Sequence, residues 1–224
     1  MSSLIKDKYI NIIKSIIKMP DINESFKKGN IGEREFIRYL AARADTSHIC
    51  NVSLVPEYQK RGIDIIWYKE PKTDSRIITA DESELEHLVN THTTDEDLVD
   101  ESMQRYTFEV KTCGRISETG NFFLEKVSNV EKRTVGSFFY TEAGIYTYYS
   151  LNEHIFYLMP MPKTRDWIKA RRFYEAMAET FENDILLYHT LGLLVPRKTL
   201  LKEQGLSVKQ IRNPFSSETK LTTT

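Results

Sequence analysis

The sequence predicts an α/β fold, a central mixed sheet flanked by helices, on three observations. Two early stretches place apolar residues at helical spacing. Short β-branched and aromatic runs then follow, some bounded by turn residues. The second half alternates aromatic-rich strand and helix patterns. Leu4, Ile10, Ile13 and Ile17 predict a helix over 3–19, ended by Pro20. A second helix is predicted over 28–44, with Glu33, Ile37, Leu40 and Ala44 on one face and Glu35 turned away. Strands are predicted at 47–54, 62–67, 105–113 and, after the turn Thr119-Gly120-Asn121, at 121–127.

Farther on, 138–149 and 154–159 suggest a helix-like stretch and then paired strands. Trp167, Ala170, Tyr174, Met177 and Phe181 step by three and four, which predicts a helix over 163–182 and a helical C-terminal extension over 161–224. A strand at 190–195, a short helix near 198–204 and a polar tail complete the reading. One domain is expected over 1–224, with an N-terminal helix in 1–20 and a core in 28–160.

Charge is unevenly spread. The chain's net charge is −1, which by itself disfavours a nucleic-acid partner. Residues 69–102 hold eleven acids and three bases, a net of −8, and the remaining 190 residues carry +7. This segment reads as an acidic insertion between two strands, with a short helix near 81–90. It is expected to be either a solvated loop or a flap that repels phosphate. No apolar run is long enough to span a membrane. The opening residues lack an unbroken apolar stretch with a cleavage site. Two cysteines, Cys50 and Cys113, cannot build a disulfide framework. Together these predict a cytoplasmic protein with reduced thiols and no membrane contact.

The chemistry concentrates in Asp64 and in Glu109-Val110-Lys111. Strand alternation points Glu109 and Lys111 to one face. Asp64 is a carboxylate among Ile63, Ile65 and Ile66, in a run otherwise built for burial. Glu33 heads an apolar helical stripe, a costly place for an acid unless something satisfies it. Converging carboxylates offer the oxygen ligands that Mg²⁺ takes, and a neighbouring lysine can orient a water, the equipment of metal-assisted phosphodiester hydrolysis.

Glu33, Asp64 and Glu109-x-Lys111, in the order helix, strand, strand, strand, resemble the PD-(D/E)XK nuclease superfamily, the restriction-endonuclease-like fold. Residues 28–35, Lys-Gly-Asn-Ile-Gly-Glu-Arg-Glu, are similar to the opening helix of archaeal Holliday-junction resolvases. Residues 119–125, Thr-Gly-Asn-Phe-Phe-Leu-Glu, look like the strand after Glu-x-Lys in phage-type members. Ile63 stands where the family name has Pro, and 45 positions separate Asp64 from Glu109, a gap the acidic insertion accounts for.

The resemblance implies an αβββαβ core and a Mg²⁺-dependent endonuclease, with Mn²⁺ substituting. Asp64 and Glu109 would ligate the metal, the Val110 carbonyl would be a further ligand, and Glu33 would support the metal or its water. Lys111 would position the attacking water. DNA is the implied substrate, with a homodimer and a phage, virus or mobile-element setting. RNA cleavage, or a non-catalytic DNA-binding or assembly role on the same fold, are the alternatives. Lys60 and Arg61 just before Asp64, Arg115 just after Lys111, and Lys132, Arg133 and Arg172 are candidate nucleic-acid contacts, with Arg165, Lys169 and Arg171 beside them. Tyr58 and Gln59 are placed in the same groove. Glu125 reads as a surface strand residue. His48 lies where cap-snatching viral members have a histidine ligand, and none of the five histidines has metal-ligand spacing.

Overall fold

A computed structural model describes residues 18–71, 73, 75–77, 89–91 and 102–215, with side chains from residue 30 onward apart from 90 and 91. Along the chain, β1 (Lys18–Asp21), α1 (Ile22–Ala41), β2 (Thr46–Asn51), α2 (Pro56–Arg61), β3 (Ile65–Lys69) and β4 (Val89–Thr91) come first. Then come β5 (Gln104–Cys113), α3 (Ile116–Thr119), β6 (Asn121–Asn129), β7 (Thr134–Val135), α4 (Ser137–Tyr140), β8 (Ile145–Ser150) and β9 (Ile155–Pro160). The last third holds α5 (Lys163–Lys169), β10 (Tyr174–Glu182), β11 (Ile185–Pro196), α6 (Arg197–Lys202) and β12 (Lys209–Arg212).

The central sheet is mixed and has the order β12-β9-β8-β5-β3-β2-β4. β2, β3 and β5 form an antiparallel meander, and β8 lies parallel to β5, so the chain must cross over between them. One face packs on α1. Phe36, Tyr39 and Leu40 of the helix meet Ile49, Ile65, Trp67, Phe108 and Phe156 of the strands. Full burial of one such ring or aliphatic chain contributes about 2 kcal/mol.

The other face is covered by a second, five-stranded sheet of order β1-β10-β11-β6-β7. Phe122 and Leu124 of β6 and Leu193 and Val195 of β11 share a core with Tyr146, Tyr148, Tyr157 and Met159 of β8 and β9. The molecule is thus mixed α/β with few helices. Only one of its described helices, α1, is longer than two turns.

Several expectations are corrected. The C-terminal extension is not helical. Only 163–169 of the predicted helix forms, and 174–182 is strand β10. The buried residues there are Ala176, Ala178 and Thr180, at a period of two, while Tyr174 and Met177 are exposed. The large residues that made the helical stripe are the ones left outside. Residues 1–17 lie outside the described residues. Lys18 and Met19, expected at the end of a helix, are in β1, where Pro20 is tolerated because β1 is an edge strand.

The second helix starts earlier than expected and ends at Ala41. Residues 145–150, expected in part as helix, form a strand, and the strand over 190–195 extends to Ile185–Pro196 without being the last. Most of the acidic insertion, including its expected helix, lies outside the described residues. Its 89–91 segment adds β4 to the sheet edge at β2.

Two glycines show different constraints. A Cβ on Gly136 would fall 2.3 Å from the carbonyl oxygen of Glu125, so α4 can begin against β6 only without a side chain there. Gly120 has φ +66° and open space around it. In urea denaturation, Gly136→Ala should cost about 2–3 kcal/mol through overpacking. Gly120→Ala should cost about 1 kcal/mol, from backbone conformation alone.

Candidate active site

The site begins where α2 ends. Gly62 caps that helix in the left-handed region at φ 62°, and its carbonyl accepts a 2.6 Å hydrogen bond from the Thr141 hydroxyl. The chain then enters the sheet at Asp64, one residue before β3. Its amide donates to the Phe108 carbonyl at 2.8 Å, and its carbonyl accepts from the Val52 amide at 2.8 Å. The side chain is fastened as well, because the Val110 amide donates to Asp64 Oδ2 at 2.7 Å. That bond sets the Asp64 carboxylate against β5 between the two residues whose side chains share one of its faces, Glu109 and Lys111. Glu109 is buried, and Lys111 Nζ lies 3.0 Å from its Oε1.

Glu33 arrives from α1. The helix crosses β5 so closely that a Cβ on Gly32 would fall 1.9 Å from Thr112 Oγ1. The next residue, Glu33, hydrogen-bonds Ser53 and interacts electrostatically with Lys111 and Glu109. Glu35 faces elsewhere and accepts a 2.8 Å hydrogen bond from Asn213 Nδ2. The structure therefore brings Glu33, Asp64, Glu109 and Lys111 into one cluster.

The cluster carries more negative charge than its lysine can offset. Burial, then the neighbouring Glu109, pushes the Asp64 carboxyl up to about 8, against the opposing pull of Lys111 and the Val110 amide. Burial likewise raises Glu33, opposed by its bond to Ser53 and by Lys111. Burial acts against the Lys111 ammonium, yet Glu109, Glu125, Tyr146 and Asp64 hold its pKa well above the usual lysine value. Lys111 therefore stays protonated at neutral pH.

Among the described residues, no group of three or more His, Cys, Asp or Glu side chains stands ready to hold a metal ion. The Lys111 ammonium sits on Glu109 Oε1, and one Asp64 oxygen is taken by the Val110 amide. The donor set itself suits a hard divalent cation. It consists of carboxylate oxygens, and their mutual repulsion is what a bound cation relieves. Asp64, Glu109 and Glu33 are the candidate ligands. His48 is not among them. It lies on β2 beside Tyr68, with its Nε2 buried and without a hydrogen bond.

The predicted nucleic-acid contacts divide. Lys60 is exposed and Arg61 half-exposed on α2, four and three residues before Asp64, and Arg61 Nε pairs with Glu142 at 2.7 Å. Arg115 stands half-buried just past the end of β5. Lys132 and Arg133 lie on the exposed β6–β7 turn, roughly 15 Å along the ribbon from Glu125 at a strand's rise per residue. Arg172 is exposed between α5 and β10. Lys60, Arg61 and Arg115 are thus the three of the six nearest the cluster along the chain. Arg165 serves the fold instead, donating to the carbonyls of Phe138 and Thr141. Tyr58 is the buried residue of α2, so only Gln59 of that pair is exposed.

Residues that the sequence reading passed over also meet here. Glu125, read as a surface residue, interacts electrostatically with Lys111. It accepts a hydrogen bond from Ser137 Oγ at 3.3 Å. Tyr140, half-exposed at the end of α4, lies within the fields of Glu109, Lys111, Asp64 and Glu125. No local signal marks these residues, because β6 and α4 reach the site only through the packing of the second sheet.

Comparisons with protein-family models, with curated proteins and with solved structures find no match to this chain.

The Asp64 shift predicts a pH dependence for the cation-free protein. In the folded chain Asp64 keeps its proton up to about pH 8, against an ordinary value of 3.8. Between those values the folded state binds the extra proton, so this residue's contribution to stability falls as pH rises and levels off above the window. Thermal denaturation in chelator should show Asp64→Asn matching the parent near pH 4 and exceeding it increasingly toward pH 8.

Proposed function

We propose that the chain is a divalent-cation-dependent endonuclease of the PD-(D/E)XK type, with DNA as its substrate. The observation that carries this reading is the convergence of Glu33, Asp64 and Glu109 around a protonated lysine. The order of elements supports it. A helix, α1, is followed by the antiparallel meander β2-β3-β5 and a crossover to the parallel strand β8, in keeping with an αβββαβ core. On this reading α3, β6, β7 and α4 are carried within the crossover. Lys60, Arg61 and Arg115 flank the cluster and suit a phosphate backbone.

Mg²⁺ or Mn²⁺ would be held by Asp64 and Glu109, with the Val110 carbonyl as a further oxygen and Glu33 in support. When bound, the cation supplies Lewis acidity toward the scissile phosphate and a water more readily deprotonated at neutral pH. The protein's own residues do the rest. Asp64 must lose its proton before it can act as a ligand, so activity rises with pH through the neutral range. Lys111, kept charged, cannot serve as the general base. Its ammonium pairs with a phosphate oxygen and stabilises the charge that develops there. The buried wall of Glu109 and Tyr146 keeps bulk water from the inner side.

Incubation with plasmid, branched DNA and RNA, each with Mn²⁺ or with chelator, tests the reading. Mn²⁺-dependent cleavage of DNA is expected. Asp64→Ala, Glu109→Ala and Lys111→Ala should each reduce it by roughly a hundredfold or more. Glu33→Ala should also impair it, whereas Glu35→Ala, which touches the Asn213 and Arg34 contacts away from the cluster, should leave the rate within about twofold. Cleavage of RNA alone would move the substrate class. Cleavage of nothing would favour a non-catalytic DNA-binding or assembly role.

A further inference from the structure

We propose that Glu125 is a positioning residue for Lys111, a second counter-ion that receives the ammonium when Glu109 is engaged by a divalent cation. The inference rests on the function proposed above and begins from a conflict within it. Lys111 Nζ lies 3.0 Å from Glu109 Oε1, on a carboxylate that the cation also needs. A cation bound to the same carboxylate would stand close to the ammonium and repel it strongly. One of them must yield. Glu109 is buried, whereas the Lys111 side chain is 37 % exposed and ends a flexible four-carbon stem. The lysine is the partner that can turn, and it needs another fixed negative group to turn to.

Glu125 is fixed, and by three separate elements. It projects from β6, a strand of the second sheet, into the field of Lys111. Ser137, the first residue of α4, donates from Oγ to Glu125 Oε2 at 3.3 Å. The same hydroxyl lies 3.2 Å from the Tyr146 phenol. Because Ser137 spends its proton on the carboxylate, Tyr146 donates to Ser137, and the chain runs Tyr146 to Ser137 to Glu125. Tyr146 is fully buried and is the β8 neighbour of Glu109 in register. Gly136 lets α4 begin directly against the Glu125 backbone, with its absent Cβ 2.3 Å from that carbonyl oxygen. A solvated surface glutamate needs neither the relay nor the close approach. The Tyr146 end of the relay abuts Glu109, so the two carboxylates that compete for Lys111 are braced against the same strand.

Calorimetric titration with Mn²⁺ alone, without substrate, tests this through four proteins: the parent, Glu125→Gln, Lys111→Met and the double variant. Glutamine keeps the shape of Glu125 and still accepts from Ser137. With its second counter-ion removed, Lys111 stays on Glu109 and competes with the cation. Glu125→Gln should then weaken Mn²⁺ binding about fivefold or more when Lys111 is present, and less than about twofold when it is Met. Ser137→Ala should shift affinity in the same direction by a smaller factor, and it replaces Glu125→Gln if that variant does not fold. Equal weakening in both backgrounds would overturn the proposal, because Glu125 would then act on the cation directly or through the fold. No weakening in either would overturn it too. A parent that binds no Mn²⁺ would instead overturn the functional reading beneath it.

Discussion

The bond from the Val110 amide to the Asp64 carboxylate is the contact on which the candidate site depends. In a regular ladder that amide would face a backbone carbonyl. Here it holds a side chain, because Asp64 enters the sheet one residue before β3 begins. Its own amide and carbonyl are tied to Phe108 and Val52. Asp64 is thus locked at backbone and side chain alike, directly against Glu109. Two acids held this way cannot move apart to relieve their repulsion. Burial, and then this repulsion, shows as a proton that Asp64 retains to about pH 8.

The rest of the fold serves that placement. α1 can bring Glu33 in only because Gly32 lets the helix touch Thr112. The second sheet closes the other side of β5 and β8, over the buried Glu109, and carries Glu125 into the field of Lys111. Destabilisation concentrated at one polar cluster, inside an otherwise apolar core, is the pattern expected where function constrains a sequence more than stability does.

Much of the cluster was legible in the sequence. Helical phasing separates Glu33 from Glu35, and the structure has the two facing different partners. Strand alternation puts Glu109 and Lys111 on one face, and β5 holds them there. What was not legible arises from packing between distant segments. Nothing near Glu125 reveals that β6 leaves the central sheet for a second one. At β10 the local signal misleads outright: Tyr174 and Met177 mark a helical stripe, but the residues selected for burial are the small ones between them, Ala176 and Ala178. Size rather than hydrophobicity marks that face, whose buried residues are small.

The central claim is that frustrated charge at Asp64 and Glu109 is there to be neutralised by a divalent cation. Calorimetry of Mn²⁺ binding near pH 7, repeated in buffers of different ionisation enthalpy, measures the protons released on binding. Asp64 is still protonated at that pH, so its engagement as a ligand should release close to one proton per cation, and Asp64→Asn should release almost none. Binding without proton release, or no binding at all, would contradict the account.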